Sequence, residues 1–248
     1  MEKGLEETEK IVKGDRAHAK LSSGFLQDVV MGIIMIRCNE IKKLFEQWSI
    51  IMLSNREYLI EIDSVAGDGD LGLTMSDGFK AAYLAVADSD ATDIGKMFYN
   101  AGKIMSSAVP STMGTLMASG LMQAGKALKG EAVLSPDGIV QLFEAYKQGV
   151  EFRGKAKVGE KTFLDGLAPA VDSLREDMPK GIALLEAAQN AVKASERGSE
   201  LTKTMIAVHG RAATRGENSR ELLDAGSVVA VLIMKGFLEF VKLIESKV

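Results

Sequence analysis

Cysteine is nearly absent from this chain. Cys38 is the only one, so no internal disulfide can form, and its apolar surroundings read as those of a small core residue. Long hydrophobic runs are missing too. The longest, around Val228–Met234 and Val29–Ile36, are too short to span a bilayer. An excess of positive charge is absent: the formal net charge is -4, which leaves no footprint for nucleic acid or an anionic membrane. The first residues are charged and polar rather than apolar, so no secretory leader is expected and a cytoplasmic protein is. Strand signatures are also lacking, with no sustained alternation of apolar and polar residues between turns.

What remains is helical. At 248 residues the chain can bury a sizeable core. Prolines number four, and Pro136 follows Ser135, where a helix start favours one. The apolar spacing predicts helices over 24–54, 73–87, 93–108, 112–129, 136–152, 162–176, 180–196, 200–208 and 221–246. Thr92-Asp93, Ser135-Pro136 and Ser199-Glu200-Leu201 read as helix starts. Short connections favour antiparallel neighbours. Residues 1–22, rich in Glu, Lys and Gly, read as an extension, with His18 and Arg16 as solvated surface. Residues 23–248 then read as one all-α domain. Methionines at 105, 113, 117 and 122 suit core filling, with an adaptable cavity wall as the other reading.

One segment has no use in a packed core: Asp63-Ser-Val-Ala-Gly67-Asp68-Gly69-Asp70-Leu-Gly72. Three close carboxylates repel one another unless a cation lies between them. Mg²⁺ takes such oxygen ligands and keeps open positions for phosphate. The apolar run from Leu73 places this segment at a helix start, where free N–H groups and the dipole favour anions. A calcium loop of the EF-hand kind fails: from Asp68 the fifth position is Gly72 and the twelfth is Phe79. The plain alternative is a surface turn, for which Asp and Gly are common.

Three other segments carry polar residues into breaks between helices. In Ser106–Thr115, Ser111 or Thr112 serves as a helix cap or holds phosphate oxygens. The stretch Arg153–Thr162 is basic and glycine-containing, which reads as solvated charge or as a nucleotide contact. Near His209-Gly210-Arg211, Arg211 is suited to bidentate contact with a polyphosphate. His209 has no partner evident in the sequence, and a surface or capping role is its default.

Together these segments resemble the nucleotide-binding L subunit of dihydroxyacetone kinases. The resemblance covers about residues 45 to 246. It rests on Tyr58-Leu, Asp63 and Gly67-Asp68-Gly69-Asp70-Leu-Gly72, on Arg153-Gly154-Lys155 with Gly159-Glu160-Lys161-Thr162-Phe163-Leu164-Asp165, on Gly210-Arg211-Ala212 with Gly216-Glu217, and on Asp224-Ala225-Gly226. The resemblance implies an antiparallel barrel of eight helices with the nucleotide at one rim. It implies that Asp63, Asp68 and Asp70 hold two Mg²⁺ ions bridged to the phosphates of ADP or ATP. It assigns nucleotide contact to Leu71, Gly72, Leu73, Thr74, Ser111, Thr112, Gly154, Phe163, Arg211, Asp224, Ala225 and Gly226, with Arg211 adding a cation at the transferred phosphate. It also implies a separate K subunit that holds the ketose on its own histidine, and as phosphate source either a phosphohistidine protein of the sugar phosphotransferase system or free ATP. A homodimer is a further arrangement compatible with it.

Departures from the family pattern are local. Leu71 stands where a histidine is usual, Val109-Pro110-Ser111-Thr112-Met113 replaces a glycine-rich phosphate segment, and Ala225 replaces a proline. A paralogue acting on another small ketose, such as the tetrulose erythrulose, fits these changes. No residue reads as a base for a sugar hydroxyl, which favours an acceptor site on a partner. The rival reading is a non-catalytic nucleotide-binding regulatory partner.

Overall fold

The computed structural model describes residues 35–246. The expected boundary between residues 22 and 23, and the start of the helix expected from residue 24, lie outside that range; within it the helix expected over 24–54 begins only at Cys38, because Ile36–Arg37 is a strand. Among the described residues there are nine α-helices. They are α1 (Cys38–Ser54), α2 (Arg56–Ala66), α3 (Leu71–Ala87), α4 (Ile94–Ala108), α5 (Thr112–Ala127), α6 (Pro136–Gly154), α7 (Phe163–Asp177), α8 (Leu184–Leu201) and α9 (Ala225–Glu245). One two-residue bridge joins β1 (Ile36–Arg37) antiparallel to β2 (Val133–Leu134), pairing Ile36 with Leu134.

Eight of the helices form a closed ring. From α1 the order of packing is α3, α4, α5, α6, α7, α8 and α9, and α9 returns to α1. Helix α2 lies outside this order and packs on α3. This is the all-α eight-helix architecture expected from the resemblance. The core is aromatic on one side. Trp48 is 1% exposed, sits edge-on to Phe45, Phe79 and Phe98, and donates its indole N–H to the Ile233 carbonyl at 2.9 Å. Gly236 leaves α9 room to reach this ring; a Cβ there would lie 2.6 Å from Trp48 Cδ1. Cys38 is buried and its thiol donates to the Ala91 carbonyl. Among the named methionines, Met105 and Met117 are buried core.

Helix starts follow local chemistry. Asp93 accepts the Lys96 N–H, Ser111 that of Gly114, and Ser135 that of Gly138. Each satisfies an N–H that the helix itself leaves open. Three expectations need correction. Residues 56–66, left outside the expected helices, are helical; Leu59, Ile62 and Ala66 recur at helical spacing, although only Leu59 of the segment is buried. The segment 200–208 is not a separate helix: α8 runs through Leu201 and a 3₁₀ turn follows at Thr202–Thr204. Ser199 caps nothing there, because its hydroxyl meets that of Ser227 on α9 at 2.7 Å. Finally, α9 starts at Ala225 rather than 221, since Glu221 takes φ 68°, outside helical space. Among the described residues no helix is long and apolar enough to cross a membrane.

Candidate functional site

The start of α3 is built on α2. Asp63 occupies the last turn of α2, and a four-residue bend from Gly67 to Asp70 leads into Leu71. Two glycines make this bend. Gly69 takes φ 73°, and a Cβ at Gly67 would collide with the Asp63 carboxylate. The Leu71 N–H points at Asp63 Oδ2 at 3.4 Å. The carboxylates thus come from a helix end and a turn rather than from one continuous loop. Each of Asp63, Asp68 and Asp70 offers an oxygen, and these oxygens all lie within 4.8 Å of one another. Burial, reinforced by Asp68 and then Asp63, pushes the Asp70 carboxyl up, and the Arg211 guanidinium pulls it back. Arg211 itself forms an ion pair with Asp68. This spacing and mutual repulsion suit a hard divalent cation.

The cluster faces a cavity of about 940 Å³. Its wall contains the starts of four alternate ring helices: Leu71 of α3, Ser111-Thr112 of α5, Thr162-Phe163 of α7, and Asp224-Ala225-Gly226 of α9. The C-terminal residues Arg153 and Gly154 of α6 join them. The ring therefore alternates in direction, and one rim collects helix N-termini. Free N–H groups and four positive dipole ends favour an anion there, while the carboxylates favour a cation. A metal-bound polyphosphate satisfies both at once.

Of the residues expected at the site, Asp63, Asp68, Asp70, Leu71, Ser111, Thr112, Gly154, Phe163, Arg211, Asp224, Ala225 and Gly226 line this cavity. Gly72, Leu73 and Thr74 do not. Gly72 and Thr74 are buried in the first turn of α3, and Gly72 packs against the α2 backbone at Arg56. Met113 also borders the cavity. Ser111 accepts the Gly114 N–H at 3.0 Å while lining the wall, so it caps α5 and faces the cavity together.

Burial raises the Asp224 carboxyl to about 7, against the opposing pull of the Ser227 N–H and the Lys161 ammonium. It caps α9 through Ser227 N–H at 2.6 Å. Three residues were not singled out individually from the sequence. Lys161 is 3% exposed, and its ammonium donates to the Thr202 and Leu222 carbonyls. Asp165 is buried, accepts the Thr162 N–H at 2.7 Å, and also takes the Gly159 N–H. Glu160 meets His209 Nε2 at 2.6 Å, which corrects the expectation of a partnerless histidine. Only Asp165 had a local signal, the Thr162-to-Asp165 spacing of a capping box.

A family model described as the DAK2 domain matches residues 65–239. The chain belongs to the DAK2 domain family. Among its curated relatives is the ADP-binding subunit DhaL of the PEP-dependent dihydroxyacetone kinase of Escherichia coli, 31% identical over 185 residues, covering 75% of this chain and 88% of that subunit. A Listeria innocua subunit of the same description is 30% identical over 186 residues, covering 75% and 87%. The L-erythrulose kinase of Pectobacterium atrosepticum is 31% identical over 193 residues, which is 74% of this chain but 32% of that enzyme. The fold of this chain is similar to part of the crystal structure of the C. freundii dihydroxyacetone kinase in complex with AMP-PNP and Mg²⁺. The match has a TM-score of 0.60 at 22% identity and covers 80% of this chain and 33% of that one.

Proposed function

We propose that this chain is the nucleotide-binding subunit of a small-ketose kinase of the dihydroxyacetone type. The observation that carries the reading is the meeting of three carboxylates with four helix N-termini at one cavity. Asp63, Asp68 and Asp70 would hold two Mg²⁺, which when bound neutralise charge on the phosphates of ADP or ATP. The N–H groups at the starts of α3, α5, α7 and α9 orient the phosphate oxygens, and Ser111 and Thr112 offer hydroxyls. Arg211 exchanges its pairing with Asp68 for the transferred phosphate, where its planar fork suits the geometry. Phe163 and Leu71 supply apolar wall for the nucleoside.

The acceptor sugar sits on a K-type partner, and no base for it is assigned to this chain. Relatives described as PEP- or PTS-dependent support a phosphohistidine donor protein that recharges resident ADP. The erythrulose kinases among the relatives support a second reading for the acceptor, a tetrulose in place of dihydroxyacetone. The deciding experiment is phosphate transfer to dihydroxyacetone and to erythrulose, with and without a K-type subunit, supplied with ATP or a phosphohistidine donor. Transfer that needs the K-type subunit is the expected result. Mg²⁺–ADP binding without transfer to any ketose would leave the regulatory-partner reading in its place.

A further inference from the structure

The connection between α8 and α9, residues 202–224, carries Arg211 to the carboxylate cluster. Two adjacent residues of the α6–α7 connection hold it. Lys161 reaches the carbonyls of Thr202 and Leu222, at its two ends. Glu160 reaches its middle: the Val208 N–H donates to the Glu160 carbonyl at 3.3 Å, and His209 Nε2 meets Glu160 Oε2 at 2.6 Å. Lys161 takes φ 59° at this point, a left-handed conformation that costs energy away from glycine and asparagine. Inside the connection, Ser219 Oγ takes the Ala207 N–H and closes a lobe at its base. Outside the connection, residues 208–218 are tied by hydrogen bond to Glu160 and to Asp68. Most of that lobe is exposed, and Arg211 has a long side chain with much rotamer freedom to lose.

We infer that Glu160 is a positioning residue: through His209 it holds the backbone at Gly210, so that Arg211 stands over the carboxylate cluster before a phosphate arrives. His209 and Arg211 line the cavity, while Glu160 stands behind them. The His209 hydrogen bond and the Lys157 N–H hold the Glu160 carboxyl below its usual range, as expected of an acceptor used as the carboxylate. Organising Arg211 in advance removes part of the ordering cost from ligand binding. This inference rests on the nucleotide reading for its consequence, and on the geometry of the lobe for its cause.

The test combines two measurements on the full chain. Glu160→Ala, Glu160→Gln, His209→Ala, Arg211→Ala and the double variant Glu160→Ala/Arg211→Ala are compared by calorimetry with Mg²⁺–ADP. Glu160→Ala and His209→Ala should each weaken binding about five- to tenfold, and Glu160→Gln, which keeps a hydrogen-bond acceptor, should recover most of it. In the Arg211→Ala background the further loss from Glu160→Ala should be under about twofold, because coupled residues are not additive. Additive losses, or no loss, overturn the inference. The second measurement needs no nucleotide. Trypsin should cut after Arg211 and Arg215 about tenfold faster in Glu160→Ala than in the parent, with Glu160→Gln near the parent. If the parent binds no Mg²⁺–ADP, the proposed function fails, and an unchanged cleavage rate would then overturn the clasp as well. Should Glu160→Ala not fold, His209→Ala carries both measurements.

Discussion

The two sides of the ring are made of different materials. Around Trp48 the helices meet through aromatic rings, and the one polar atom of the indole is satisfied by a backbone carbonyl. At the cavity rim, carboxylates crowd one another and a carboxyl is buried to the point of holding its proton near neutrality. Packing of the first kind lowers the free energy of the empty protein. Crowding of the second kind raises it, and is relieved only when a cation and an anion arrive. Stability and ligand binding are therefore expected to separate by residue, with the largest stability losses on the aromatic side and the largest binding losses at the rim.

Removing the central ring should produce the largest effect. Trp48→Ala opens a cavity among Phe45, Phe79 and Phe98 and removes the indole hydrogen bond to the Ile233 carbonyl. A loss of about 3–5 kcal/mol is expected, measured by urea unfolding. Mg²⁺–ADP affinity, extrapolated to the folded fraction, should stay within about threefold. A collapse of that intrinsic affinity would break the separation.

The converse change is Asp70→Ala. It removes one cluster oxygen and relieves repulsion from Asp68 and Asp63. Nucleotide affinity in Mg²⁺ should fall by about one to three orders of magnitude, or roughly 1.4–4 kcal/mol, while the melting temperature of the metal-free protein does not drop. Unchanged Mg²⁺–ADP binding would remove the metal assignment.

Asp224 sharpens the contrast through pH. Its folded pKa lies above the ordinary carboxyl value, at about 7. Between about pH 4 and pH 7 the folded state therefore holds a proton that the unfolded chain releases, and stability of the metal-free protein falls as pH rises through that window. At 1.36 kcal/mol per pKa unit the shift sets an upper bound of about 4 kcal/mol. Asp224→Asn should flatten the slope in urea unfolding across that range. A slope identical to the parent's would show that the carboxyl is not the group responsible.

The readable parts of this arrangement were those with local signatures. Ser111, Ser135 and Asp93 announce helix starts because capping acts over three residues, and Asp68-Gly-Asp70 stands out because glycines and carboxylates are adjacent. Helix α2 has Leu59, Ile62 and Ala66 at helical spacing, but it is only 11 residues long and its last turn runs straight into the Gly67–Asp70 turn, so the turn chemistry dominated and the place of Asp63 on a helix end was missed. Glu160 and His209 are 49 positions apart, and Lys161 bridges carbonyls 41 and 61 positions away. Such contacts are set by how the ring closes and leave no trace in local spacing. Ser199 misled for the same reason, since a hydroxyl that suits a cap was used between helices.

Ser111 belongs to both materials, and it carries the smallest and most discriminating prediction. Its hydroxyl oxygen accepts the Gly114 N–H at 3.0 Å, which leaves its own O–H able to donate into the cavity it lines. Ser111→Ala should cost about 1 kcal/mol of stability through the lost cap. If the hydroxyl also donates to a phosphate oxygen, affinity for Mg²⁺–ADP should fall about two- to tenfold, the worth of one hydrogen bond of roughly 0.5–1.5 kcal/mol. Both losses together are the expected result, read by urea unfolding and calorimetry on the same sample. Loss of stability with affinity unchanged would return Ser111 to the helix alone, and would shift the phosphate contact at the start of α5 to its backbone N–H groups and Thr112.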